Sequence, residues 1–435
     1  MPGTTAPSRR GAVALLCTAL AAVLAAPLLP AATASADPPP EVRFSTFNVS
    51  MFRATEGELA SDLADPGDEA QDVEVRNVAE IIQLQRPDVL LLNEFDDDAE
   101  GTALERFQDN FLSIGQRGAD PIDYPYAVAF PSNTGVPSGY DLNNNGSVGT
   151  SGRAYGDDSF GFGEFPGQYA FALLSRYPID LDDVRTFQLF RWADMPGARL
   201  PDDPGTAAPT DWYSDEELEV FRLSSKNHVD VPVDVDGRTV HVLASHPTPP
   251  VFDGPEDRNG KRNADEIRFW ADYVSPGKRS RYIYDDEGEH GGLRPGAPFV
   301  IMGDLNADPA DDGGVVEGAA RQVTEHPFVR DPLPASEGAV QASAEQGGAN
   351  ERQAGDPAYD TADFSDSSPS APGNLRVDYV LPSRPLRVLD AGVFWPLSSD
   401  PLSRLTGEFD RQYSNGFPSS DHRLVWVDVA VPGTR

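Results

Sequence analysis

Phe299-Val300-Ile301-Met302-Gly303-Asp304-Leu305-Asn306 joins an apolar run to Gly, Asp and Asn within four positions. The run reads as a buried strand. A strand interior tolerates a carboxylate poorly, so Asp304 and Asn306 are expected just past its carboxyl end, facing a cleft. Two hard-oxygen side chains there suit Mg²⁺, a phosphate or a water to be activated. Gly, Asp and Asn also make ordinary β-turns, and the stretch alone leaves both readings open.

The same pattern recurs along the chain. Val42 to Phe47 reads as a strand ending in Asn48, and Val89-Leu90-Leu91-Leu92 as one ending in Asn93-Glu94. Between them Val75, Val78, Ala79 and Ile82 keep helical spacing until Pro87. Further strands are expected at Tyr169 to Ser175, Val229 to Asp234, Thr239 to Ser245, Arg376 to Leu381 and Leu424 to Val429, with a tight hairpin at Asp236-Gly237. His246 follows one of these runs, Asp378 follows Val377, and Asp421-His422 precede Leu424. Six polar endings rich in Asp, Glu, Asn and His point to one site assembled from several strand ends. Strands with few intervening helices favour an α+β sandwich over a doubly wound sheet. Polar insertions fall near 120–167, 190–223 and 307–374; the last is poor in large apolar residues and is expected to be mobile in part.

Thr46-Phe47-Asn48, Leu92-Asn93-Glu94, Leu173-Leu174-Ser175-Arg176-Tyr177-Pro178-Ile179, Ser245-His246, Gly303-Asp304-Leu305-Asn306, Val377-Asp378-Tyr379 and Ser420-Asp421-His422, in that order, resemble the endonuclease/exonuclease/phosphatase superfamily. The resemblance implies a DNase I-like, four-layered α/β/β/α sandwich of two mixed sheets spanning residues 37–435. It also implies a metal-dependent phosphoric-ester hydrolase, a phosphodiesterase or phosphomonoesterase. In it Asn48, Glu94 and Asp421 would hold Mg²⁺, with Mn²⁺ as a substitute. Asp304 would activate water, Asn306 would hold a phosphate oxygen, and His422 would pair with Asp378. His246 would serve the leaving oxygen as a general acid. Here the sequence departs from DNase I, because Gly167 precedes Gln168-Tyr169 where a glutamate would support that histidine.

Arg9 and Arg10, the apolar stretch from Ala12 to Ala26 and Ala34-Ser35-Ala36 form an export signal over residues 1–36, with the Sec and twin-arginine routes both open. The chain is therefore expected outside the cell. The single cysteine, Cys17, lies in that signal, so the remainder has no disulfide. The net charge is −36, and removing the signal makes it two units more negative. Such a field disfavours nucleic acid while leaving small phosphate esters accessible. No membrane insertion and a monomer are expected.

Other features remain open. Asp141, Asn143 and Asn145 match the first half of a calcium loop, with Gly152 where the closing Glu belongs, so structural Ca²⁺ competes with an Asn-rich turn. Lys226, Arg258 and Lys261 belong to the densest basic cluster; they and Tyr169 are candidate phosphate or substrate contacts, with salt bridges to Asp257, Asp265 and Glu266 as the competing reading. His241 and His246 fall on opposite faces of one strand, which disfavours zinc. Adjacent Ser420, Asp421 and His422 cannot converge as a triad. The aromatics Phe160, Phe162, Phe165, Trp212 and Tyr213 fit packing of the insertions better than a wall against a base or lipid. The rival overall readings are an extracellular nuclease and a non-catalytic, calcium-stabilised binding protein that keeps the fold.

Overall fold

A computed structural model describes residues 39–433, apart from 66–69, 99, 312–315, 317, 369 and 414. The export signal lies outside the described residues. In chain order the strands are β1 (Glu41–Met51), β2 (Val89–Phe95), β3 (Tyr126–Ala129), β4 (Phe171–Ser175), β5 (Arg185–Thr186), β6 (His228–Val235), β7 (Arg238–Ser245), β8 (Phe299–Asp304), β9 (Ala362–Asp363), β10 (Asn374–Leu375), β11 (Asp378–Pro382), β12 (Arg387–Val393) and β13 (Val425–Ala430). They form a six-stranded sheet ordered β12-β13-β1-β2-β4-β3, a five-stranded sheet ordered β11-β8-β7-β6-β5 and the short pair β10-β9. Both large sheets are mixed: β1 runs parallel to β2 and β7 to β8, and the remaining pairs are antiparallel.

Strand periodicity explains the layers. Alternate residues of β2 go to opposite sides: Val89 and Leu91 meet the second sheet, while Leu90 and Leu92 meet helices. In β8, Val300 and Met302 face the first sheet, while Phe299 and Ile301 pack under the helix Arg258–Tyr273 with Ile267 and Trp270. The helix Ala70–Gln85 covers the first sheet with Val75, Val78, Ala79 and Ile82. It stops at Arg86, whose φ of 52° breaks the helix before Pro87. The result is the four-layered α/β/β/α sandwich with two mixed sheets.

The Asp236-Gly237 hairpin forms as expected. Both residues have positive φ, 51° and 83°, and Gly237 N–H donates to Asp234 Oδ1 at 2.6 Å. The insertions are more structured than their composition suggests. Residues 120–167 include β3, an edge strand of the first sheet, and 307–374 include the helix Glu337–Gln346 with β9 and β10. From 190–223, Phe190, Trp192, Met195, Tyr213, Phe221 and Leu223 all enter the core beneath the helix Arg258–Tyr273.

Candidate active site

Topology gathers the polar strand endings. Parallel β1 and β2 bring Asn48 and Asn93 into register, and Glu94 follows at φ 54°, in the irregularity before Met51 and Phe95 pair again. In the facing sheet, Asp304 at the end of β8 lies opposite Asp378 at the start of β11. Gly303 makes this possible: its φ is 146°, and a Cβ there would lie 1.9 Å from Ser245 O on β7. The close approach brings His246, just past β7, beside Asp304.

Asp304 is the hub. Its Oδ1 accepts from Asn306 N–H at 2.8 Å, and its Oδ2 accepts from Asn48 Nδ2 at 3.1 Å. His246 Nε2 and His422 Nε2 lie 3.4 and 3.7 Å from Oδ2. Burial pushes the Asp304 pKa up, while the neighbouring His422 charge pulls it down; burial prevails. His422 Nδ1 lies 2.9 Å from Asp378 Oδ2, which also accepts from Thr361 Oγ1 at 2.8 Å. Burial works against the His422 cation, but Asp378 and Asp304 outweigh it and hold its pKa well above the usual range.

His246 contrasts with His422. Burial, then the charges of Lys226 and His422, hold its pKa well below the ordinary value. Both ring nitrogens are buried without a hydrogen bond, even though Nε2 is within ion-pair distance of Asp304. Glu94 Oε1 lies 4.0 Å from Nε2, and no glutamate among the described residues hydrogen-bonds the ring. Asn306, at φ 50°, donates through Nδ2 to Pro247 O at 3.1 Å and so ties the Asp304 loop to the His246 segment.

Among the described residues, Asp304, Asp378 and His422 place ligand-type atoms within 4.8 Å of one another. This triangle is closed by its own hydrogen bond, between His422 Nδ1 and Asp378 Oδ2 at 2.9 Å. Glu94 and Asp421 fit a cation better. Burial raises the Glu94 pKa and His422 lowers it, while Asp421 raises it further, so two hard-oxygen carboxylates bear on each other. Asp421 Oδ1 accepts from Ser50 Oγ at 3.0 Å, which orients it. Asn48 gives its amide to Asp304 and its Oδ1 accepts from Ser50 N–H at 3.1 Å; it presents N–H rather than oxygen to Asp304. Hard carboxylates near a surplus of negative charge suit Mg²⁺.

The remaining candidates divide. Lys226 is buried, and burial lowers its pKa against the pull of Glu94, Glu266 and Asp304, which locates its ammonium near the cleft. Tyr169 N–H donates to Asp96 Oδ1 at 2.9 Å, and its phenol, desolvated and beside Glu94, resists ionisation. Arg258 and Lys261 are spent elsewhere: Arg258 pairs with Glu256, and Lys261 Nζ donates to Glu256 O at 3.0 Å. In the calcium-like loop, Asp141 Oδ1 and Oδ2 accept from Asn145 N–H and Gly146 N–H, and Asn143 Oδ1 accepts from Asn145 N–H. Asn145 Oδ1 accepts from Ser147 N–H, so this segment is a hydrogen-bonded Asx turn. His241 lies 2.7 Å from Asp230 and apart from His246.

Sequence reasoning missed Asp96, Thr361 and Ser50, and it quoted Ser420 without giving it a part in the site. Burial raises the Asp96 pKa to about 7, and its Oδ2 accepts from Arg53 N–H at 2.7 Å. Ser420 Oγ donates to Asn48 O at 2.8 Å. Asp96 follows Glu94 by two residues and was open to notice; the lone hydroxyls carry no periodic signal.

The endonuclease/exonuclease/phosphatase family model matches residues 45–422. No curated protein sequence matches the chain. Among solved structures, an endonuclease/exonuclease/phosphatase from Beutenbergia cavernae is 16% identical with a TM-score of 0.46, over 90% of this chain and 72% of that one. A family protein from Leptotrichia buccalis is 14% identical with a TM-score of 0.43, over 89% and 99%. A magnesium-bound beta toxin variant from Staphylococcus aureus is 14% identical with a TM-score of 0.40, over 89% and 99%. On the family match, which takes in every strand-end residue from Asn48 to His422, the chain belongs to the endonuclease/exonuclease/phosphatase family, whose members are phosphoric-ester hydrolases.

Proposed function

We propose that the chain hydrolyses small phosphoric esters outside the cell, with a divalent cation, by attack of water on phosphorus. The observation that carries this is the buried Asp304 carboxylate facing two histidines, with His246 Nε2 and His422 Nε2 3.4 and 3.7 Å from its Oδ2. With its pKa raised by burial, Asp304 is suited to take a proton from water as the oxygen bonds to phosphorus. His422, kept cationic by Asp378, offers Nε2–H and positive charge to the equatorial phosphate oxygens. Lys226 adds a second cation, and Asn306 fixes the loop that carries Asp304.

His246 acts here as a neutral hydrogen-bond donor to the ester rather than as an imidazolium acid. A divalent cation bound by Glu94 and Asp421, beside Asn48, would supply charge neutralisation and polarise a phosphate oxygen. Mg²⁺ suits the donors, and Mn²⁺ is the proposed substitute. The leaving alkoxide departs opposite the attacking water, with its proton drawn from solvent. Export rests on the sequence of residues 1–36. No helix among the described residues is long and apolar enough to cross a membrane.

The test is release of nitrophenol from bis-p-nitrophenyl phosphate and p-nitrophenyl phosphate. Turnover should cease in EDTA and return with Mg²⁺ or Mn²⁺. Unchanged turnover in metal-free buffer would overturn the cation's part, and absence of turnover on every ester would favour a binding role.

A further inference from the structure

We propose that Phe52, Tyr169 and Phe162 form a stacking wall that binds the planar base of a nucleoside phosphate ester. The inference rests on the hydrolytic reading of the cleft and names the group on the far side of its phosphate. The wall is placed by topology. Phe52 directly follows β1, Glu94 lies near the end of β2, and β4 runs antiparallel to β2, pairing Phe171 with Asn93. Tyr169, two residues before Phe171, therefore emerges at the same sheet edge as Glu94. Burial and then the Glu94 charge are the leading causes that keep its phenol un-ionised.

The rings are contiguous. Tyr169 lies 4.7 Å from Phe52 and 6.3 Å from Phe162, centroid to centroid, with interplanar angles of 43° and 40°. In the segment Phe160 to Phe165 two phenylalanines are buried, whereas Phe162 is 40% exposed. Its presentation is rigid. A Cβ at Gly161 would lie 1.8 Å from Ser225 O, and one at Gly163 would lie 2.7 Å from Gly135 N. The backbone is thus pressed against neighbours on both sides of Phe162, and Ser225 precedes the cleft residue Lys226. Exposed aromatic surface held this way presents a π-face without an ordering cost on binding.

Charge selects among occupants. The Arg153 guanidinium, paired with Asp157 at 3.5 Å, lies 5.5 Å from the Phe162 ring centroid, so a quaternary ammonium headgroup would compete there with a resident cation. A polyol has no π-face to pair with the rings. A nucleoside ester combines a neutral planar base for the rings with an anionic phosphate for Lys226 and His422. The strongly acidic chain opposes a long polyanion, which leaves small nucleoside esters rather than duplex nucleic acid.

The experiment compares thymidine 5′-(p-nitrophenyl phosphate) with methyl p-nitrophenyl phosphate, which share a leaving group and differ in the base. Stacking on one aromatic side chain corresponds to about 5- to 150-fold on alanine substitution. Phe162→Ala and Phe52→Ala should raise KM for the thymidine ester by that range and leave the methyl ester within about twofold, while Phe162→Trp restores binding. Equal losses on both esters, no loss on either, or a selective loss on a phosphocholine ester would overturn the wall. Thymidine 5′-monophosphate binding by calorimetry is the independent readout. If wild type hydrolyses neither ester, the hydrolytic reading fails, and the wall stands only if that binding weakens in Phe162→Ala; no binding, or equal binding, overturns it.

Discussion

Replacing Gly303 by alanine probes how two strands bring the candidate catalytic groups together. Gly303 has a φ of 146°, a conformation that costs an L-residue about 1–3 kcal/mol. The added methyl would also lie 1.9 Å from Ser245 O and 3.1 Å from Ser245 C, both backbone atoms of the paired strand β7. Neither can rotate away, so β7 and β8 must part, at a further cost of about 1–3 kcal/mol by analogy with overpacked cores. The summed destabilisation is about 2–6 kcal/mol. Ser245 adjoins His246 and Gly303 adjoins Asp304, so the separation falls between the two groups now 3.4 Å apart. Urea unfolding should show the loss in midpoint, and phosphodiester turnover should fall at least tenfold in the fraction that remains folded. An unchanged urea midpoint together with more than half the wild-type turnover would refute the reasoning.

Three further outcomes concern Asp378, Lys226 and Asp360. Asp378→Asn removes the anion that holds His422 cationic, 2.9 Å away, and should cut kcat on a phosphodiester about 10²-fold while KM changes little; steady-state kinetics would check this. Lys226→Met deletes a buried cation beside the cleft and should raise KM at least fivefold on an anionic ester, read by steady-state kinetics. Asp360 carries the pH prediction: burial, then Asp308, Asp311 and Asp356, push its pKa up to about 8. The folded state therefore binds this proton more tightly than the unfolded chain, so the stability it brings is complete below the unfolded value and is lost as pH rises through about 8. Asp360→Asn should leave the melting temperature near wild type at pH 4 and raise it by several degrees at pH 9, read by calorimetry; the opposite trend would show the sign to be wrong.

How far the sequence reveals this molecule depends on where the signal resides. Phe299 to Asp304 was legible because both faces of β8 are buried, leaving a continuous apolar run that stops at a carboxylate. The Asp236-Gly237 hairpin was legible because positive φ at two successive residues selects those residue types. By contrast β12 was missed: Arg387 to Asp390 alternate weakly, since most of the strand lies at an exposed sheet edge. The segment 307–374 read as loosely organised because its contribution is made through backbone pairing, such as Ala362 with His422, and through one hydroxyl, Thr361. Neither leaves a periodic trace.

At the site, chemical type was readable and detailed geometry was not. Asp304, Asp378 and His422 announced themselves at strand ends, but the opposite pKa shifts of His246 and His422 depend on which charges each ring meets in three dimensions. Arg258 and Lys261 illustrate the converse. Their charges looked available for phosphate until the chain turned Glu256 back onto the start of their helix.

The central claim is that Asp304 drives water onto a phosphoric ester. Its most direct test is the rate of nitrophenol release from bis-p-nitrophenyl phosphate in Mg²⁺ by wild type and by Asp304→Asn, with both proteins shown to be folded by their melting curves. Asn keeps the side-chain size and an oxygen to accept from Asn306 N–H but removes the base, so a fall of at least about 10²-fold in kcat with an intact melting transition is predicted. Turnover within a few-fold of wild type would contradict the account.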